Sequence, residues 1–384
     1  MKNRKQFSSF VPERLKEGRE ARGLTLVELA EKIGVTHQAV SKYEKGKAVP
    51  AHNVLDRITY VLNLPLSFFL RPIEEKRDGI VYFRSIAAAS VKSKKIHQTK
   101  INWLRDVHCY LESILDFPAL DIPKVNTTSH FVETNFNDID DIALEVRRRW
   151  GLGNGPITNL IRLLEKKGVI IARARLMNYK IDACSLWNEG ERPYILLGND
   201  EQSAVRSRFN LAHELGHLIL HSSITLEEFK KKENYKRMEK EAHRFASAFL
   251  LPYNSFPQEI FSSSLDHFIS LKKRWNVSIG AMIYRAEELG IISDYQALYL
   301  RKKMNALGMT KREPLDAETP LEEPIALKQA IELLLEHNVK GKSDLVSEIG
   351  LSAKEIEEVA NFPDGYLTER ETGPSAKIIH LRPR

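Results

Sequence analysis

The chain has 384 residues, 42% hydrophobic and 28% charged, proportions that suit two or three folded domains and exclude wholesale disorder. Its apolar runs, such as Leu218-Ile219-Leu220, are far short of a membrane span, and no signal-peptide core follows the basic start Met1-Lys2-Asn3-Arg4-Lys5, so a cytoplasmic protein with no membrane partner is expected. The net charge is +7, and residues 1 to 72 carry 13 Lys and Arg against 7 Asp and Glu, an imbalance that fits a polyanionic partner at the N-terminal end. Cys109 and Cys184 stand far apart without ligand spacing and are expected to be reduced and structurally plain.

In chain order, residues 12 to 72 read as five short helices. Pro12 suits an early helix position, and Gly23 closes that helix. Thr25 caps a second helix with Leu26, Leu29, Ala30 and Ile33 on one side, and Gly34 stops it. Thr36 caps a third helix that runs to Glu44 and breaks at Lys45-Gly46-Lys47. Helix, three-residue turn, helix is the arrangement that presents a third helix to the major groove. On that helix Ala39, Val40 and Tyr43 fall on the packing side. Thr36, His37, Gln38, Ser41 and Lys42 remain free to meet double-stranded DNA. Gln38 can pair with an adenine edge, and Lys42 or Lys45 can neutralise phosphate.

Residues 73 to 100 read as a linker, and a helix is expected from 101 to 115. Amphipathic helices over 137 to 150 and 156 to 167 follow. The β-branched run Val169-Ile170-Ile171 marks a strand after Gly168, and residues 183 to 187 and 193 to 197 are two further strand candidates. The last of these is the expected sheet edge for an extended peptide. From residue 204 the chain turns helical again, with a helical pair over 265 to 289 expected to pack behind the core. A Pro- and charge-rich linker over 308 to 324 precedes a tail with two amphipathic helices between 325 and 361.

The chemistry is concentrated in His213-Glu214-Leu215-Gly216-His217. Histidines at i and i+4 lie about one turn apart on one helix face, so both imidazoles reach a single cation. Zn2+ accepts such nitrogens in a four-coordinate site that leaves one position for water, and Glu214 is placed to take a proton from that water. A third protein ligand is needed. His221 lies about 12 Å from His213 along a continuous helix, too far to share the ion. The next helix offers Glu239, which shares a face with Ala242, Phe245, Ala246 and Phe249, and Glu241, about 200° away around the axis. Glu239 is the expected ligand if the Ala/Phe face packs on the metal helix, with Glu241 as the alternative. His243 reads as a polar surface residue or one standing behind the ligands.

Two resemblances attach to these residues. Arg14-Leu15-Lys16, Leu24-Thr25, the run from Leu29 to Val35, Ser41-Lys42-Tyr43-Glu44-Lys45-Gly46 and Pro50 resemble the XRE (Cro/C1-type) helix-turn-helix family. That family often has Gln, contacting the DNA backbone, where this chain has Leu26. Residues 80 to 300 resemble the ImmA/IrrE metallopeptidases, chiefly in the runs from Arg208 to His221 and from Glu239 to Pro252. Here His243 stands where Asn is common, and Asn210 where Thr is common. The resemblance implies cleavage of a repressor, often itself of the XRE type, releasing stress, phage or mobile-element genes.

The expected fold class is α+β and mostly helical: a five-helix bundle over 1 to 72, a zincin-like peptidase domain with a small sheet over 101 to 307, and a helical C-terminal region over 308 to 384. The expected function is a DNA-binding regulatory zinc peptidase with a repressor as protein substrate, and a homodimer is a further expectation. A second reading is a repressor or antitoxin with a structural or sensory metal site. A third is self-cleavage in the chain's own linker.

Overall fold

The computed structural model describes residues 10–73, 81–83, 91–125, 130–174, 183–187, 191–198 and 203–368. Five short helices open it: α1 (Pro12–Ala21), α2 (Leu26–Ile33), α3 (His37–Glu44), α4 (His52–Leu62) and α5 (Leu66–Leu70). Local chemistry sets their ends. Thr25 caps α2 in a reciprocal box with Glu28, and Gly34 ends it in the left-handed region at φ 66°. The Thr36 hydroxyl accepts the N–H of Ala39 and starts α3.

A three-residue strand, β1 (Val81–Phe83), and the long helix α6 (Val91–Glu112) come next. Residues 91–100, expected as linker, are therefore the first turns of α6. Ile96, His97, Thr99 and Lys100 are buried there, and Lys95 pairs with Glu20 of α1 at 2.7 Å. Docking against α1 supplies the order that a polar composition does not advertise. Residues 74–80 and 84–90 of the expected linker lie outside the described residues.

The middle of the chain supplies α7 (Phe136–Arg149), α8 (Leu160–Lys166), β2 (Ile170–Ala174), β3 (Ala183–Leu186) and β4 (Tyr194–Gly198). The sheet order is β1-β3-β4-β2, with β2 and β4 parallel and the other pairs antiparallel. The expected edge strand, β4, is thus interior. Its two sides are taken by β3 and β2, and β1 covers the far side of β3. The alternation of side chains along each strand divides two cores. Ile171, Ala183, Ile195 and Leu197 face one. Ile170, Ala172, Cys184, Leu186, Tyr194 and Leu196 face the other. A sheet buried on both faces explains the nearly continuous apolar runs in β2 and β4.

On the first face lie α9 (Ala204–Leu220), α10 (Leu226–Lys230), α11 (Lys232–Leu250), α12 (Leu265–Trp275), α13 (Ile279–Glu288) and α14 (Asp294–Ala306); of these, α9 and α11 to α14 contribute to the first core. On the second face α6 contacts β3 and β4, and α1 packs against α6. The second core also takes in α15 (Ala326–Glu336), α16 (Lys342–Ile349) and α17 (Ala353–Val359). Three helices stand where two were expected, because positive-φ residues at Asn338 (52°) and Gly350 (75°) break the amphipathic run. Residues 308–324, expected as a linker, are pinned by a buried cluster instead. Lys272 of α12 reaches Glu313 at 2.8 Å and Asp316 at 2.6 Å, all three side chains being buried. No helix among the described residues is long and apolar enough to cross a membrane.

Candidate metal centre

Helix α9 carries the HExxH run and is buried almost all round. Its packing partner is α11, and Gly216 decides how closely the two approach. A Cβ added at Gly216 would stand 3.1 Å from both the Cα and the carbonyl oxygen of Ala242. The absence of a side chain there lets the Ala/Phe face of α11 press directly on α9. Ala242, Phe245, Ala246 and Phe249 are fully buried, and that packing brings Glu239 to the histidines.

His213 Nε2 and His217 Nε2 lie 3.1 Å apart. Glu239 Oε1 is 3.2 Å from His217 Nε2, and Oε2 is 3.5 Å from His213 Nε2. Two imidazole nitrogens and a carboxylate are a donor set that zinc accepts. Metal–ligand bonds of about 2.0–2.1 Å in a tetrahedron put neighbouring donors about 3.3 Å apart. The separations here match that edge, so the residues fit the cation. Charge is arranged accordingly. Burial alone would raise the Glu239 carboxyl, but hydrogen bonds and charge from His213 and His217 outweigh it and hold it at about 2. Burial alone would lower His217, and Glu239 outweighs that in turn, leaving its imidazole above its ordinary value.

Glu214 is fully buried next to His213. Its Oε2 accepts the Ser185 hydroxyl of β3 at 2.5 Å. Sequence reasoning missed Ser185, although a lone polar residue between Cys184 and Leu186 in an apolar strand was the available signal. Glu241 is turned away from the donors: its Oε2 lies 3.0 Å from His221 Nε2. His221 stays outside the donor set, just past the end of α9, and burial pushes its imidazole down to about 4. A cleft of about 450 Å³ opens over the donors, lined by His213, Glu239, His243, Phe136, Tyr284 and Glu288 among others. His243 stands in that cleft, with its ring 5.7 Å from Tyr284 and 6.5 Å from His213.

The DNA-facing residues derived from the sequence lie elsewhere. Thr36, His37, Gln38, Lys42 and Lys45 are exposed and Ser41 is half-buried, while Val40 is buried. Arg19 of α1 grips Glu44 through two bonds of 2.6 and 2.8 Å and fixes α3 in place. Val40 belongs to the core on one side of the sheet and Leu215 beside the donors to the core on the other. The structure does not bring the two sets together.

Comparison with known proteins divides the chain in the same way. Residues 15–69 match a helix-turn-helix domain, and residues 164–287 match the IrrE N-terminal-like domain of the M78 peptidases. An uncharacterised HTH-type transcriptional regulator of Sinorhizobium medicae is 37% identical over 59 residues, which is 15% of this chain and 42% of that protein. The SPbeta prophage-derived uncharacterised HTH-type regulator YonR of Bacillus subtilis is 36% identical over 59 residues, covering 15% of this chain and 55% of its own length. Human endothelial differentiation-related factor 1 is 38% identical over 52 residues, covering 14% and 35%. The chain thus spans about a third to a half of the length of these relatives. A crystal structure of Bacillus thuringiensis PlcR with the peptide PapR7 and DNA covers 78% of this chain and 95% of its own, at 15% identity and a TM-score of 0.16, too low to argue from. The family matches show a chain that joins a helix-turn-helix domain to an IrrE-like domain of the M78 peptidase family, and the matched residues 164–287 include the helix with His213-Glu214-Leu215-Gly216-His217.

Proposed function

We propose that this chain is a DNA-binding regulatory zinc metallopeptidase that hydrolyses a peptide bond in a transcriptional repressor of the XRE type. The observation that carries the reading is the convergence of His213, His217 and Glu239 donor atoms, all within 4.8 Å of one another, beside a buried Glu214 held by Ser185. His213 and His217 would hold Zn2+ through Nε2 and Glu239 through its carboxylate. Zinc in such a site lowers the pKa of water and polarises a carbonyl. Glu214 accepts the proton that the water gives up as its oxygen bonds to the scissile carbonyl carbon. It then returns that proton to the leaving amine as the C–N bond breaks. Ser185 keeps the Glu214 carboxylate aimed for both transfers, and the cleft between Phe136 and Tyr284 receives the peptide.

Thr36, His37, Gln38, Ser41, Lys42 and Lys45 contact double-stranded DNA, which places the peptidase at a promoter or beside a DNA-bound substrate. An extended peptide that pairs with β3 next to Ser185 has to displace β1, whose Tyr82 stands opposite Ser185 in the register. The test is co-expression of the wild type and of Glu214→Gln with the XRE-type repressors encoded beside the gene, with fragments sought by mass spectrometry. Cleavage by the wild type alone, with zinc bound to both proteins, is the expected result. Zinc in both proteins without cleavage of any neighbour would instead favour a regulator whose metal is structural or sensory.

A further inference from the structure

Behind the donor side chains runs a line of hydrogen-bonding groups to which the hydrolytic reading assigns no role. His217 Nδ1 lies 3.0 Å from His221 Nδ1, and His221 Nε2 lies 3.0 Å from Glu241 Oε2. Glu241 Oε1 accepts the backbone N–H of Thr134 at 2.8 Å and the Nε–H of Arg237 at 3.0 Å. Arg237 is paired in turn with Glu133 at 2.8 Å. His217, His221 and Glu241 are all buried, with at most 1% of each exposed.

The proton positions along this line follow from its carboxylate end. Oε1 of Glu241 already takes two N–H groups, which leaves Oε2 to accept from Nε2 of His221. With its proton on Nε2, His221 presents Nδ1 to His217 as an acceptor. His217 Nδ1 is then the donor, which frees Nε2, the atom 3.1 Å from His213 Nε2 and 3.2 Å from Glu239 Oε1, to give its lone pair to a cation in place of a proton to Glu239. Reversing either imidazole sets two N–H groups, or two lone pairs, against each other. The negative end of the line also draws the Nδ1 proton of His217 away from the ring and makes Nε2 a stronger donor.

We propose that His221 and Glu241 are positioning residues that fix the tautomer and ring orientation of His217 for metal binding, with Arg237 and Thr134 as the anchor of the carboxylate. This inference rests on the metal site proposed above. Neither residue touches the substrate or the ion. Glu241, the alternative third ligand from the sequence, acts through His217 instead.

The test is zinc affinity of the purified full-length chain, measured by competition with a chromophoric chelator. Wild type is compared with His221→Leu, Glu241→Gln and His221→Gln. Loss of a partner behind a metal-binding imidazole costs about 10–100-fold in affinity, and that loss is expected for His221→Leu and Glu241→Gln. His221→Gln should recover most of it, because an amide oxygen can accept from His217 Nδ1 while its NH2 donates to Glu241. Rescue of that kind separates positioning from mere filling of space. Circular dichroism of the metal-free variants shows whether each is folded. Should His221→Leu fail to fold, Glu241→Gln and His221→Gln decide the matter. Wild-type affinity in a folded His221→Leu or Glu241→Gln overturns the proposal and leaves the metal site standing. Absence of zinc binding by the wild type removes the metal site itself, and the positioning role with it.

Discussion

At the scale of single residues, the contact between Ser185 and Glu214 is the one on which turnover should depend most sharply without any change in metal content. A hydrogen bond to a charged group contributes about 1.5–3 kcal/mol. Ser185→Ala is therefore expected to slow the proposed peptide-bond cleavage about 10- to 100-fold with no change in metal content. An unchanged rate would mean that Glu214 needs no such support. The legibility of the site divides along the same line. His213, Glu214 and His217 follow from spacing within one helix, because the i, i+4 relation fixes which atoms can meet. Choosing Glu239 over Glu241 needed the phase of a second helix, and the Ala/Phe face carried that information. Ser185 showed only as a lone polar residue in an apolar strand, and neither its contact with Glu214 nor that of His221 with Glu241 was legible. They depend on which strand and which loop lie against α9, and no periodicity encodes that.

At the scale of elements, the site depends on how closely α9 and α11 approach. Gly216 lies under Ala242, and a methyl group added there meets the Cα and the carbonyl oxygen of Ala242, both at 3.1 Å. Backbone cannot swing aside as a side chain can, so the helices must separate. Gly216→Ala is expected to cost about 1–3 kcal/mol of stability, as overpacking does, and to weaken zinc binding by drawing Glu239 away from the histidines. Thermal unfolding of the metal-free protein, together with a zinc titration, measures both effects. A variant with wild-type values of each would show that Gly216 is incidental. The helices were read well from the sequence where caps and glycines punctuate them, as at Thr25, Gly34 and Thr36. Strand existence was legible for β2, β3 and β4, but strand order was not. Three residues at 81–83 gave no signal of their own, yet their pairing with β3 moved β4 from the expected edge to the interior.

At the scale of the whole molecule, the sheet sets the helix-turn-helix unit and the metal helices into two different cores, while α6 ties the first unit to the sheet. Trp103 of α6 donates to Glu17 of α1 at 2.9 Å, and Arg22 meets Glu355 of α17 at 2.6 Å. The N-terminal bundle is thereby packed into the rest of the chain instead of hanging from a tether. Composition gave the opposite impression, because the first turns of α6, residues 91–100, are mostly polar in sequence and are ordered through contacts with distant elements such as Lys95 with Glu20 and Lys100 with Glu358. Every role proposed for the residues around His213 and His217 depends on the metal site, which makes zinc retention the most direct measurement. The metal content of purified wild type, His213→Ala, His217→Ala, Glu239→Ala and Glu214→Gln would be determined after dialysis. One zinc ion per chain is predicted in the wild type and in Glu214→Gln, with loss in the other three. Zinc kept by Glu239→Ala, or lost from Glu214→Gln, would contradict the assignment of ligands and base.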